Sequence, residues 1–405
     1  MRPQSTESPE LSEVFRSCDK SFISSLSREK QKVFEAVINC RTARLGAHVK
    51  SCSKCAYREQ SYNSCRNRHC PKCQGSVAGN WTKSRNDELL PVEYFHSVFT
   101  LPQELRDICY QNKRLIYELM FQSTSETLHA VSANPKFLGA KVGFITVLHT
   151  WNQKLDYHPH VHVISPKGGI SEDNNQWITP RGNFFLPVRA LSKVYQGKFM
   201  EGLRKLYKQK KLRFFNHLSH LNNPNEFEKQ LATAISTPWV VYSKKSFGGP
   251  TQVVKYLSSY VHRIAISNHR IKKLENQEVT FSYRDSKNHN KRKLKTLPVT
   301  TFSHKFMKHL LPRNFTRIRH YGFLGTATKR KKLELAETLI NKKSPANKKK
   351  PKKSKLLPFK MPCPLCKLGD LKVVEITMIP HRPLPKTQNT RHFDSIAPPD
   401  QPLAA

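Results

Sequence analysis

Residues 142–165 read VGFITVLHTWNQKLDYHPHVHVIS. Two runs rich in β-branched residues flank the polar stretch NQKLDY, the pattern of two strands joined by a turn. In the second run His158, His160 and His162 alternate with Pro159, Val161 and Val163. A period of two sets the three imidazoles on one face and the valines on the other. Such a face is costly to build unless a cation gathers the histidines. Two imidazoles from a rigid strand leave coordination positions open, as a catalytic ion requires. Gln153 and Asp156 in the turn, or His158 itself, are candidates for a third ligand, and His149 on the preceding strand is a weaker one.

Upstream, five of the ten cysteines crowd into residues 52–73. Cys52-x-x-Cys55 and Cys70-x-x-Cys73 enclose a spacer, and two residues between thiols let both sulfurs turn toward one ion. The expectation is structural zinc on Cys52, Cys55, Cys70 and Cys73, with Cys65 or His69 able to replace one member. Arg58, Arg66, Arg68 and Lys72, with Tyr57 and Tyr62, give this module cations for phosphates and rings for stacking. Cys363-x-x-Cys366 has no second pair downstream and reads as half a zinc ribbon completed elsewhere, or as nothing. Cys18, Cys40 and Cys109 are scattered.

Downstream, TQVVKYLSSYVHRIAISN carries Tyr256 and Tyr260 four residues apart, so on a helix both enter the same site. Aromatics at that spacing are more often core packing. Here Val253, Val254, Leu257, Val261 and Ile264 form a separate apolar stripe, and Lys255, His262 and Arg263 surround the hydroxyls with positive charge. A nucleophilic phenol needs such charge, because its ordinary pKa is about 10.

The whole chain has 405 residues, of which 70 are Lys or Arg and 29 Asp or Glu, a formal net charge of +41. A chain so lopsided repels itself unless it meets a polyanion, and nucleic acid is the usual one. No run approaches ~18 apolar residues, so no membrane span is expected. The start, MRPQSTESPELSEVF, lacks the apolar run of a signal peptide. Together with clustered rather than dispersed cysteines, this reads as a cytoplasmic protein that acts at the nucleoid.

Residues 102–131 read as one long helix with Pro102 in its first turn, and 190–236 as helical with one break at Asn222–Asn225. REKQKVFEAVINC is an amphipathic helix, and VTFSY and KLKTLPVT form a second hairpin around SKNHNK. The expected order is an N-terminal helical segment (1–45), a zinc-binding DNA-contact module (46–80), a catalytic domain (81–330), a basic linker (331–358) and a C-terminal tail with a lone Cys pair (359–405).

A histidine–hydrophobic–histidine strand followed by a helix bearing two tyrosines resembles the HUH endonucleases of rolling-circle replication and transposition. SCRNRHCPKCQ, LDYHPHVHVIS, GGPTQVVKYLSSYVHRIAISN and LPRNFTRIRHYGFLG, in that order, resemble the two-tyrosine transposases of the IS91 group over residues 40–325. The resemblance implies an α+β fold, a zinc module ahead of a catalytic domain with a central antiparallel sheet. It implies that His160 and His162 hold magnesium or manganese and that Tyr256 and Tyr260 are the nucleophiles. The substrate would be single-stranded or melted element ends, cut through a 5′-phosphotyrosine intermediate without ATP. Arg66, Arg68, Lys72, Lys255, Arg263, Arg317 and Arg319 are the expected DNA contacts. A rolling-circle replication initiator or relaxase of the same chemistry, or a non-catalytic zinc DNA-binding protein, are the alternatives.

Overall fold

The computed structural model describes residues 8–74, 88–245, 264–285, 288–325, 328–343 and 361–377. The chain divides into two compact units, Met1–Ile38 with Cys65–Lys355, and Asn39–Ser64 with Leu356–Ala405.

In chain order, the first unit opens with α1 (Leu11–Arg16), α2 (Lys20–Ser25) and α3 (Arg28–Ile38). The second unit contributes β1 (Ala47–Cys52) and β2 (Arg58–Tyr62). The chain then returns to the first unit with β3 (Tyr94–Thr100), α4 (Arg106–Gln111), α5 (Lys113–Ala133), β4 (Gly143–Trp151) and β5 (Tyr157–Pro166). Short β6 (Gly169–Ile170) and β7 (Trp177–Ile178) precede α6 (Val188–Lys208), α7 (Pro224–Ile235) and β8 (Val241–Lys245). A meander of β9 (Ile271–Glu275), β10 (Glu278–Asp285) and β11 (Lys291–Pro298) leads into α8 (Val299–Lys308), β12 (Ile318–Gly322) and α9 (Lys329–Lys343). The second unit is completed by β13 (Leu371–Thr377).

The centre of the first unit is an antiparallel five-stranded sheet in the order β12-β4-β5-β3-β8. The fold class is thus the α+β expected. The β4–β5 turn is tied by Asn152, whose side-chain oxygen accepts from the amides of Lys154 and Asp156, both at 2.9 Å. Val161 and Val163 are fully buried and face the same core as Phe144 and Leu148. Against this core lie α5 and α6, through Tyr117, Met120, Phe121, Tyr195 and Phe199. The apolar residues of α5 recur at three- and four-residue steps, so one helix face carries most of that burial.

The long helix expected over 102–131 is broken. Asn112 leaves helical geometry (φ −119°, ψ 39°), and its side chain donates to the Ile108 and Arg213 carbonyls and accepts from the Arg213 amide. An amide side chain that can satisfy three backbone groups competes with the helix at that point. Over 190–236 the break is wider than expected: α6 stops at Lys208, a 3-10 turn spans Asn216–Asn222, and Asn223 caps α7. Helix α9 also corrects the linker boundary. Ala336, Leu339 and Ile340 are buried against Leu90, Ile145 and Phe323, so the structured chain runs past residue 331.

In the second unit, β13-β1-β2 is an antiparallel sheet in which Cys52 pairs with Leu371 and Ala47 with both Tyr62 and Thr377. The module expected over 46–80 is therefore divided: its first part makes a sheet with residues of the stretch expected as a separate tail over 359–405.

Candidate metal centre and thiol clusters

The histidine face forms on the side of the sheet opposite α5 and α6. His149, His160 and His162 bring one ring nitrogen each within 4.8 Å of the others, and all three are buried. His162 comes from the middle of β5, His160 two residues before it, and His149 from β4. The third member is thus His149, the weakest of the sequence candidates, and the reason is one irregularity of register. Trp151 pairs with Tyr157, but between Trp151 and His149 the register shifts, so that His149 lies opposite His160. Without that bulge His149 would lie opposite Pro159 and share the valine face.

Two of the other candidates have side-chain partners of their own. His158 accepts at Nδ1 from Arg106 at 2.8 Å, and burial followed by the guanidinium charge pushes its imidazole down to about 4. Asp156 is ion-paired with Lys305 at 2.6 Å. Gln153 accepts from Arg270 through its backbone carbonyl.

Neighbouring groups orient these candidate ligands. Nδ1 of His160 lies 2.6 Å from the His158 carbonyl oxygen. A carbonyl oxygen only accepts, so Nδ1 carries the proton and Nε2 is the nitrogen left to hold a cation. Nδ1 of His162 meets Nε2 of His96, a buried residue of β3 that the sequence reading did not single out. Burial pushes His96 down to about 4, so it is neutral near pH 7 and has one nitrogen able to accept. The His149 ring stacks on Trp151. Tyr256 and Tyr260, with Lys255 and Arg263, lie outside the described residues.

The thiols gather in a different pairing from the one expected. Cys52, Cys55, Cys363 and Cys366 place their sulfurs within 4.8 Å of one another. Cys65, Cys70 and Cys73 gather separately in the first unit, with Cys65 and Cys73 Sγ 3.6 Å apart. The set Cys52, Cys55, Cys70 and Cys73 is therefore split, Cys65 is a member rather than a substitute, and His69 is not among the gathered ligands. Two separate Cys pairs on a spacer suggest one site by proximity in sequence, and only the return of β13 reverses that.

The expected DNA contacts fare unevenly. Arg66 is exposed. Arg68 donates to the Phe315 and Pro312 carbonyls, and Lys72 pairs with Glu10. Arg317 is buried and donates to Gln74. Arg319 holds Glu118 through two bonds of 2.6 and 2.8 Å and lies over the Phe121 ring. Arg68, Arg317 and Arg319 thus have partners within the fold. Among the described residues no helix is long and apolar enough to cross a membrane.

Comparison with known proteins agrees with this architecture. A family model described as "Putative transposase" matches residues 143–332, and one described as "Transposase zinc-binding domain" matches residues 12–101. The chain is 43% identical over 341 residues to "Putative transposase y4qJ" of Sinorhizobium fredii, covering 84% of this chain and 86% of that one. It is 25% identical over 292 residues to "Transposase for insertion sequence element IS801" of Pseudomonas savastanoi pv. phaseolicola, covering 71% and 68%. No solved structure matches the chain.

Proposed function

The chain belongs to the IS91-type insertion-sequence transposases, and from that membership we propose that it moves single DNA strands by metal-assisted tyrosine attack, in a rolling-circle reaction. The observation that carries this reading is the buried triplet His149, His160 and His162, three imidazole donors gathered on one sheet face. His149, His160 and His162 would hold a divalent cation, which would supply Lewis acidity to the scissile phosphate. Of the two cations expected, manganese fits better than magnesium. The donors are all imidazole, and magnesium prefers oxygen ligands in a strict octahedron.

The phenol oxygen of Tyr256 or Tyr260 attacks phosphorus. The phenol gives up its proton as the new tyrosine–phosphorus bond forms and the bond to the 3′ oxygen breaks, and the departing oxygen takes up one proton to become a 3′ hydroxyl, so no net proton is consumed. The phosphodiester's energy is retained in the 5′-phosphotyrosine, so rejoining needs no ATP. A second tyrosine lets the protein hold one end while it transfers another. Substrate is single-stranded or melted DNA, whose splayed backbone reaches a site recessed on a sheet face.

The test is to incubate the full chain with labelled single-stranded element ends and manganese, then denature. A covalent protein–DNA adduct is expected, and Y256F/Y260F must form none. An adduct in that double variant would assign the attack to another nucleophile. A replication initiator of the same chemistry would also form the adduct, and only transfer of an element end into a new target separates the two.

A further inference from the structure

We propose that Cys52, Cys55, Cys363 and Cys366 form a complete structural zinc site, built from two segments about three hundred residues apart, and that the Cys-x-x-Cys near the C-terminus exists to close it. The sulfurs of Cys52 and Cys366 are 3.7 Å apart, as are those of Cys55 and Cys363. A tetrahedron with zinc–sulfur bonds near 2.3 Å has sulfur–sulfur edges of about 3.8 Å. A disulfide would need about 2.05 Å, so these distances match ligation and not bridging.

The backbone around the sulfurs is shaped as two knuckles. The Lys54 amide donates to Cys52 Sγ at 3.3 Å, and the Tyr57 amide donates to Cys55. On the other side the amides of Gly369 and Leu368 donate to Cys366. Amide donors converging on sulfur are the backbone arrangement of a knuckle that presents its thiols to one ion. Lys367 sits at φ 57°, and its amide returns to the Cys363 carbonyl, while the Cys363 amide bonds the Gly369 carbonyl at 2.7 Å. These bonds close the knuckle tightly. A Cβ at Gly369 would lie 2.4 Å from Cys52 Sγ, so that position holds glycine because a sulfur of the other knuckle occupies the space.

The sheet positions the two halves. Cys52 ends β1 directly opposite Leu371, the first residue of β13, and Ser53 and Asp370 exchange hydrogen bonds beside it. The knuckles are thereby held face to face by strand pairing. The second unit offers a sparse core, and Val373, Val374 and Ile376 of β13 are more than half exposed. A small sheet of this kind needs a metal staple to persist.

The test uses the full chain purified with zinc. C363S and C366S are each expected to carry one zinc equivalent fewer than the parent, while C366H, which keeps a zinc-binding donor, retains the parent's content. Zinc content unchanged in both serine variants would overturn the site. A second measurement needs no substitution: alkylation of the parent, mapped by mass. Cys363 and Cys366 should be protected when zinc is bound and labelled after chelation, and equal labelling in both states would overturn the proposal.

Discussion

Nε2 of His96 lies 2.7 Å from Nδ1 of His162, with the two rings 12° from parallel. His96 touches no expected substrate atom, so its effect runs through the orientation of His162. Removing such a partner typically lowers metal affinity by about 10–100-fold. H96A should therefore weaken manganese binding by that order, as read from the free-ion paramagnetic signal in a titration. H96Q, which restores an acceptor near the same place, should recover much of the loss. H96A binding manganese as tightly as the parent would end the positioning role.

The donor set makes its own forecast about the ion. With imidazoles from His149, His160 and His162, manganese should support adduct formation at concentrations on the order of tenfold lower than magnesium. H149A should lose manganese affinity while the fold, read by circular dichroism, is unchanged. Full activity of H149A at the parent's metal optimum would exclude it as the third ligand.

His309 predicts the acid limit of stability. It is 3% exposed, and burial pushes it from 6.5 down to about 3. Above pH 6.5 both folded and unfolded chains carry it neutral, and it contributes nothing. As pH falls, the unfolded chain binds a proton that the fold refuses, so stability is lost between about 6.5 and 3, at up to about 1.4 kcal/mol per pH unit. H309Q should flatten the stability–pH curve in that window. An identical slope in the variant would show that other groups set it.

Arg319 should behave as a structural residue. R319A removes a two-bond pair with Glu118 and a cation over Phe121, and a loss of about 1–2 kcal/mol in denaturant unfolding is expected. The dependence of DNA affinity on salt should keep its slope, because no phosphate contact is lost. A slope shallower by about one would return Arg319 to the DNA surface.

Much of the sheet was legible in residues 142–165, because alternation over eight or ten residues determines which side chains share a face. The identity of the third histidine was not. It depends on a one-residue bulge, and period-two reasoning assigns His149 to the wrong face without it. Asn112 shows the same limit on helices: composition and periodicity run straight through it, yet its side chain satisfies a loop a hundred residues away. His96 carried no motif at all, since a single histidine in YFHSVFT is unremarkable until the strand order brings β3 beside β5. The cysteines were recognised as metal ligands but matched by nearness in sequence. The sulfurs they lie beside are chosen by strand pairing, which leaves no local trace.

The order of synthesis gives that pairing a consequence in time. At 5–20 residues per second, Cys363 emerges roughly 15–60 s after Cys55, its partner 308 positions earlier. Through that interval β1 and β2 wait on the ribosome as a two-stranded ribbon with a bare edge, which is marginal in water. The unit can close only once the residues of β13 have been made. A product cut short by a frameshift before residue 363 would thus display an unpaired strand and two unclaimed thiols, a ready mark for quality-control proteases.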